Sequence, residues 1–153
     1  MKKSLLFGAA LLAALSGCNR SGIIDATPTT TAAVPTNAAP KSAAPARIGH
    51  GKEVNLANYV VPGRTTIFDF TSEYCPPCRA IAPRLHQLHA DRADIVVVEV
   101  DINRPGIAGI DWASPVARQF SLESIPHFKV YGPDGRLQAE GEAAYGLVVS
   151  MLK

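Results

Sequence analysis

The feature that most constrains this chain is the setting of two of its three cysteines. Cys75-Pro76-Pro77-Cys78 stands between a β-branched and aromatic run at 65–70, Thr-Thr-Ile-Phe-Asp-Phe, and a helical pattern over 77–91 in which Ile81, Leu85 and Leu88 recur at spacings of four and three. A strand that runs into a helix across C-x-x-C puts the first cysteine at the helix N-terminus. There, unpaired N–H groups and the helix dipole favour a thiolate. The second cysteine lies about one turn in, close enough to close a small disulfide ring. Pro77 suits the first turn, where its missing N–H has no partner to lose, and Pro-Pro stiffens the ring without placing a histidine beside the sulfur. Because a thiolate is the nucleophile of disulfide exchange, this setting points to redox chemistry. Two blander readings stand beside it: thiols without a task, and half of a zinc site. Zinc needs two more ligands, and His86 and His89, three apart on the helix, are expected on its solvated face.

Further elements follow along the chain. Residues 53–61 hold a short apolar segment that Pro62-Gly63 ends. Residues 95–100 are almost continuously apolar, as in a central strand covered on both faces. Ser114-Pro115 reads as an N-cap with Pro at the first helical position, opening a short helix through Phe120. Residues 127–131 and 136–140 flank Gly132-Pro133-Asp134-Gly135, a hairpin signal, and residues 143–152 close as an apolar helix. The order β-α-β-α-β-β-α predicts an α/β domain, a central mixed sheet with helices on its faces, over residues 47–153.

The first 46 residues are of another kind. Lys2 and Lys3 precede a short apolar core from Leu5 to Leu15, the pattern of a secretory signal peptide over residues 1–17. Leu15-Ser16-Gly17-Cys18 resembles the bacterial lipobox, which implies cleavage before Cys18 and lipidation of its sulfur; two or more acyl chains hold stably in a bilayer. Asn19, where Asp would signal inner-membrane retention in enterobacteria, leans toward the outer membrane in a Gram-negative envelope. Of the 28 residues 19–46, 19 are Ala, Pro, Thr or Ser and none is aromatic, so residues 18–46 read as a lipidated Cys and a disordered tether. Setting aside Lys2 and Lys3 from the 15 basic residues leaves 13 against 13 acidic ones. A neutral mature chain argues against a nucleic-acid binder, which usually shows a basic patch or stripe, and no apolar run of about 20 residues supplies a transmembrane helix.

Residues 68–79, Phe-Asp-Phe-Thr-Ser-Glu-Tyr-Cys-Pro-Pro-Cys-Arg, resemble the active-site segment of the thioredoxin family. Asp69, six residues before Cys75, matches the family's buried acid, and Pro83, five after Cys78, matches the Pro that kinks its helix. Glu99-Val100-Asp101 matches the end of the next core strand, Ile125-Pro126 the loop with a cis-Pro, and residues 132–135 the following hairpin. The resemblance covers roughly residues 53–153 and implies a thioredoxin-like fold, with no cofactor beyond a redox-active Cys75–Cys78 disulfide and no metal. It implies that Cys75 attacks a substrate disulfide, that Cys78 resolves the mixed disulfide, and that Asp69 helps deprotonate Cys78. Ile125, Pro126 and Tyr74 then meet an extended substrate.

Three departures from the family pattern matter. Thr71 and Tyr74 replace the two Trp positions, and Val97 is the expected counterpart of the Lys often paired with the buried acid. The stretch from Asp101 to Pro126 is about ten residues longer than in a minimal thioredoxin, mostly over 103–112. That insertion is expected either as a rim beside Cys75 that selects the partner or as a surface loop packed by Trp112. His127, after the cis-Pro, either modulates the thiolate or is polar cover.

The expected function is extracytoplasmic thiol–disulfide exchange by a lipid-anchored domain in the bacterial envelope. Pro-Pro in the motif points to a reductant of protein or small-molecule disulfides. A reductant there needs a membrane thiol electron donor. The competing readings are an oxidant or isomerase of the same fold, a copper chaperone using both thiols and His127, and an interaction platform.

Overall fold

The computed structural model describes residues 42 and 44–153. Its centre is β2 (Thr65–Thr71), six of whose seven residues are buried, paired in parallel with β3 (Ile95–Asp101) from Thr65↔Ile95 to Thr71↔Asp101. Burial on both faces explains why neither strand alternates apolar with polar residues. On one face Phe68, Phe70, Val96, Val98, Val100 and Ile102 form a core with Val116 and Leu122. On the other, Ile67, Ile95 and Val97 pack under Leu85 and Leu88 of α1 (Pro76–Asp91) and under Ala144 and Val148 of α3 (Gly141–Met151).

β4 (His127–Tyr131) lies antiparallel on the far side of β2, and β5 (Leu137–Glu140) antiparallel beyond it. The turn between them is closed by the Gly132 N–H donating to the Arg136 carbonyl at 2.8 Å, and Gly135 takes a positive φ of 75° that its lack of a side chain permits. The short helix α2 (Pro115–Gln119) starts as expected: the Ser114 hydroxyl accepts the Ala117 N–H at 3.2 Å and Pro115 is in the first turn. A 3₁₀ turn, Leu56–Tyr59, occupies the apolar segment at 53–61. No helix among the described residues is long and apolar enough to cross a membrane.

One strand was not anticipated. β1 (Ala46–Ile48) adds in parallel to the free side of β3 with Ala46↔Val98, Arg47↔Glu99 and Ile48↔Val100, so the sheet order is β1-β3-β2-β4-β5. Three residues between Ala-Pro and Gly carry no periodicity; the exposed backbone of β3 makes them a strand.

The shortness of β1 also overturns the expectation for His89. Its ring is 2% exposed, with Nδ1 accepting the Val97 N–H at 3.0 Å and Nε2 donating to the Ser42 carbonyl at 3.0 Å. β1 begins one register step after Val97, so His89 from α1 satisfies a strand amide that no neighbouring strand reaches. The expected signal peptide, Cys18 and nearly all of the expected tether lie outside the described residues.

Candidate functional site

Strand β2 delivers the chain to the C-terminal edge of the parallel strands, where open α/β sheets place their sites. Cys75 caps α1: its backbone is extended, and its sulfur accepts the Cys78 N–H at 3.2 Å. Pro76 and Pro77 fill the first turn without forfeiting an intrahelical bond. Cys75 and Cys78 are joined by a disulfide, with Cα atoms 5.3 Å apart, and both are essentially buried. Pro76, Pro77 and Arg79 are exposed around them, and Tyr74, 42% exposed, flanks the pair. A sulfur at a helix start, bonded by a backbone N–H, is a thiolate-stabilising position.

The loop before β4 closes over this pair. The Ile125–Pro126 peptide bond is cis, and the Ile125 carbonyl oxygen is 3.7 Å from the Cys75 sulfur. Ile125 and Pro126 are half-buried, so their backbone stands beside the sulfur and still reaches solvent.

Asp69 is fully buried, and neither carboxyl oxygen has a hydrogen-bond partner among the described residues. It lies two residues beyond Ile67 on β2, hence on the sheet face under α1, the helix that carries Cys78 in its first turn. Burial, reinforced by the negative charge of Glu99 and opposed by Arg47, pushes its pKa up to about 7. A carboxyl that titrates near neutrality on the face covered by the active-site helix is suited to take and return a proton.

Val97, the expected counterpart of the Lys, lies opposite Ile67 on the face that Asp69 shares, and Glu99 lies opposite Asp69. The residue directly across from the buried acid is therefore a second carboxylate, a neighbour that only strand pairing reveals. Glu99 is held in turn by His86 Nε2 at 2.7 Å and Arg47 Nη1 at 3.4 Å.

The insertion at 103–112 sits at the same edge of the sheet. The Ser72 hydroxyl, which accepts the Tyr74 N–H at 3.1 Å, donates to Asn103 Oδ1 at 2.7 Å, and Asn103 Nδ2 donates to the carbonyls of Ile107 and Gly109. Arg104 grips Asp111 with two bonds of 2.7 and 3.0 Å, holding its carboxyl below the usual range chiefly through that bonding. Gly51 makes room for this: a Cβ there would meet the Arg104 backbone nitrogen at 2.6 Å. Trp112 is 42% exposed, so this polar clamp, and not Trp112, packs the loop. None of Asn103, Arg104 and Asp111 carried a local signal.

His127 stands apart from Asp69. It pairs with Phe70 across β2 and β4, on the opposite sheet face, with its ring edge-on to Phe70 at 5.7 Å. Burial pulls its pKa down, and Glu140, 3.7 Å away, opposes this. Among the described residues no three His, Cys, Asp or Glu side chains converge as metal ligands.

Residues 51–149 match the thioredoxin family. The chain is 36% identical over 62 residues to a thioredoxin H-type from Brassica campestris, covering 40% of this chain and 44% of that protein. It is 32% identical over 72 residues to thioredoxin H3 from Arabidopsis thaliana, covering 47% and 53%. The match thus spans about half the length of these relatives. Among solved structures, thioredoxin f from spinach chloroplast superposes with a TM-score of 0.51 at 16% identity, over 74% of this chain and 95% of that one. A thioredoxin f2 solved in complex with ferredoxin:thioredoxin reductase gives 0.52 at 18% identity, over 72% and 93%. These two likenesses are of fold.

Proposed function

This chain belongs to the thioredoxin family, and from that premise we propose that it is an extracytoplasmic thiol–disulfide oxidoreductase that reduces disulfides through Cys75 and Cys78. The observation that carries this reading is the Cys75 sulfur, at a helix start, bonded by the Cys78 N–H and faced by the Ile125 carbonyl next to cis-Pro126.

The reduced Cys75 thiolate attacks one sulfur of a substrate disulfide, the other substrate sulfur leaves as a thiolate, and a mixed disulfide joins Cys75 to substrate. Asp69 takes the Cys78 proton. The Cys78 thiolate attacks the Cys75 sulfur, which releases the second substrate thiolate and leaves the Cys75–Cys78 disulfide. Two electrons pass to the substrate, so each turnover needs two from a donor, in this compartment a membrane thiol electron carrier. Ile125 and Pro126 offer backbone beside the sulfur for an extended segment, and Tyr74 adds an exposed ring.

Lipidation at Cys18 would anchor the domain to the envelope membrane, with the residues between Cys18 and β1 as its tether. The reducing direction rests on the motif, whose spacer holds two prolines and no histidine beside the sulfur.

The test is reduction of a protein disulfide, insulin for example, by the dithiol form without added metal. Cys75→Ser should abolish turnover, whereas Cys78→Ser should trap a mixed disulfide on Cys75. Turnover that survives Cys75→Ser would defeat the redox reading.

A further inference from the structure

A row of side chains crosses one face of the sheet at the level of Asp69: Arg47 on β1, Glu99 on β3, Asp69 on β2 and Phe128 on β4 are consecutive register partners. The row grades from solvent to core. The side chains of Arg47 and His86 are 41% and 48% exposed, that of Glu99 is 10% exposed, and Asp69 is fully buried.

Glu99 is the charged member of the row in register contact with Asp69, and both its oxygens are engaged by cations or rings, Oε1 by His86 Nε2 at 2.7 Å and Oε2 by Arg47 Nη1 at 3.4 Å. The remaining groups about Asp69 are accounted for. Asp101, two residues along on the same face, is bound by Arg47 Nε and His50 Nδ1, each at 3.4 Å. α1, which covers this face, carries Cys78 in its first turn and the His86 that binds Glu99, and α3 contributes Ala144 and Val148 with Tyr145 tilted on Phe128 at 5.9 Å. β4 places Phe128 opposite Asp69, and its Lys129 and His127 pair with Phe68 and Phe70 on the other face.

We propose that Glu99 is a positioning residue for the resolving step: as the carboxylate next to Asp69 in the row, braced by Arg47 and His86, it sets how firmly Asp69 holds the proton it takes from Cys78. This rests on the proposed role of Asp69 as base. A negative charge beside a buried acid disfavours its ionised form, and a cation farther along the row opposes that. The two influences on Asp69 have these opposite signs. The row therefore contains its own control, since neutralising Glu99 and neutralising Arg47 move the base in opposite directions.

The resolving step can be isolated in the full chain carrying Cys18→Ser, so that Cys75 and Cys78 are its only thiols. Reaction with 5,5′-dithiobis(2-nitrobenzoate) places a thionitrobenzoate on Cys75. Cys78 then gives its proton to Asp69 and attacks the Cys75 sulfur. The new Cys75–Cys78 bond forms as the bond to thionitrobenzoate breaks, and the coloured thiolate leaves with the electron pair. Its release rate is followed against pH.

Glu99→Gln should shift the midpoint of this profile to lower pH, on the order of one unit, and Arg47→Met should shift it upward by less. Should Glu99→Gln not fold, the surface change Arg47→Met carries the test alone, and an unmoved midpoint there overturns the proposal. Shifts in the same direction, or none, also overturn it, since a merely structural role predicts no opposed pair. Asp69→Asn separates the two claims. If it removes the midpoint while Glu99→Gln and Arg47→Met leave it in place, only the role of Glu99 falls. If Asp69→Asn leaves the profile unchanged, Asp69 is not the base and both readings fall.

Discussion

Two aspartates with little exposed surface, one in a loop and one in the central strand, carry opposite charge-state preferences. Asp111, in the loop after β3, is 4% exposed and accepts a two-pronged grip from Arg104, which keeps its carboxyl below the usual range. Asp69, on β2, has no hydrogen-bond partner among the described residues and is pushed up to about 7. A carboxyl that receives a fork of donors fastens a loop. One that receives none holds a proton at neutral pH and can exchange it with a neighbour. Depth and partner together decide which task results: Asp111 lies under a half-exposed arginine, and Asp69 lies in the core.

The largest effect expected from breaking this contrast is at Asp69. Its folded pKa is raised from 3.8 to about 7, so the native state binds the proton more tightly than the unfolded chain. Stability from this group is full below about pH 4 and is lost as pH rises through about 7, a difference of about 4 kcal/mol across that window. Asp69→Asn should remove that slope in denaturant titrations, leaving the variant more stable than the parent above pH 7, and should slow the resolving attack of Cys78 about 100-fold.

Asp111→Ala should act in the opposite sense. It loses the bonds from Arg104 and destabilises the chain by about 1 kcal/mol at pH 7, read as a lowered thermal midpoint. Because the folded pKa of Asp111 is depressed, its contribution is present above the unfolded value and fades as pH falls through the folded one. The penalty should therefore shrink in acid.

Asn103→Ala sharpens the contrast further, because it frees the loop from Ser72 while leaving both cysteines and Asp69 in place. Exchange with a native protein partner should slow several-fold with the Cys75–Cys78 potential unchanged; equal exchange rates would mean that the loop does not form a rim. The smallest effect is expected for Tyr74→Ala, a few-fold rise in KM for protein disulfides with kcat unchanged, the mark of lost uniform binding.

Local pattern carried most of the architecture. The β-branched run at 65–70, the Ser114-Pro115 helix start and the hairpin residues 132–135 each became the expected element, because the determinants of strands, caps and tight turns lie within a few residues. The Cys75–Cys78 placement was legible for the same reason. What escaped lies across strands. β1 exists because β3 offers it an edge, His89 is buried because β1 stops short of Val97, and Glu99 neighbours Asp69 because of a parallel register. The Asn103 and Asp111 clamp depends on two loop ends meeting in space. Such facts belong to pairs of distant residues, and neither member announces the other.

The account turns on a dithiol poised to reduce. Its most direct test is the reduction potential of the Cys75–Cys78 pair, with the full chain equilibrated in thiol buffers of set potential at pH 7 and the disulfide counted by mass spectrometry. A value near or below about −230 mV is predicted, whereas one near about −120 mV would make the pair an oxidant and contradict the proposed direction.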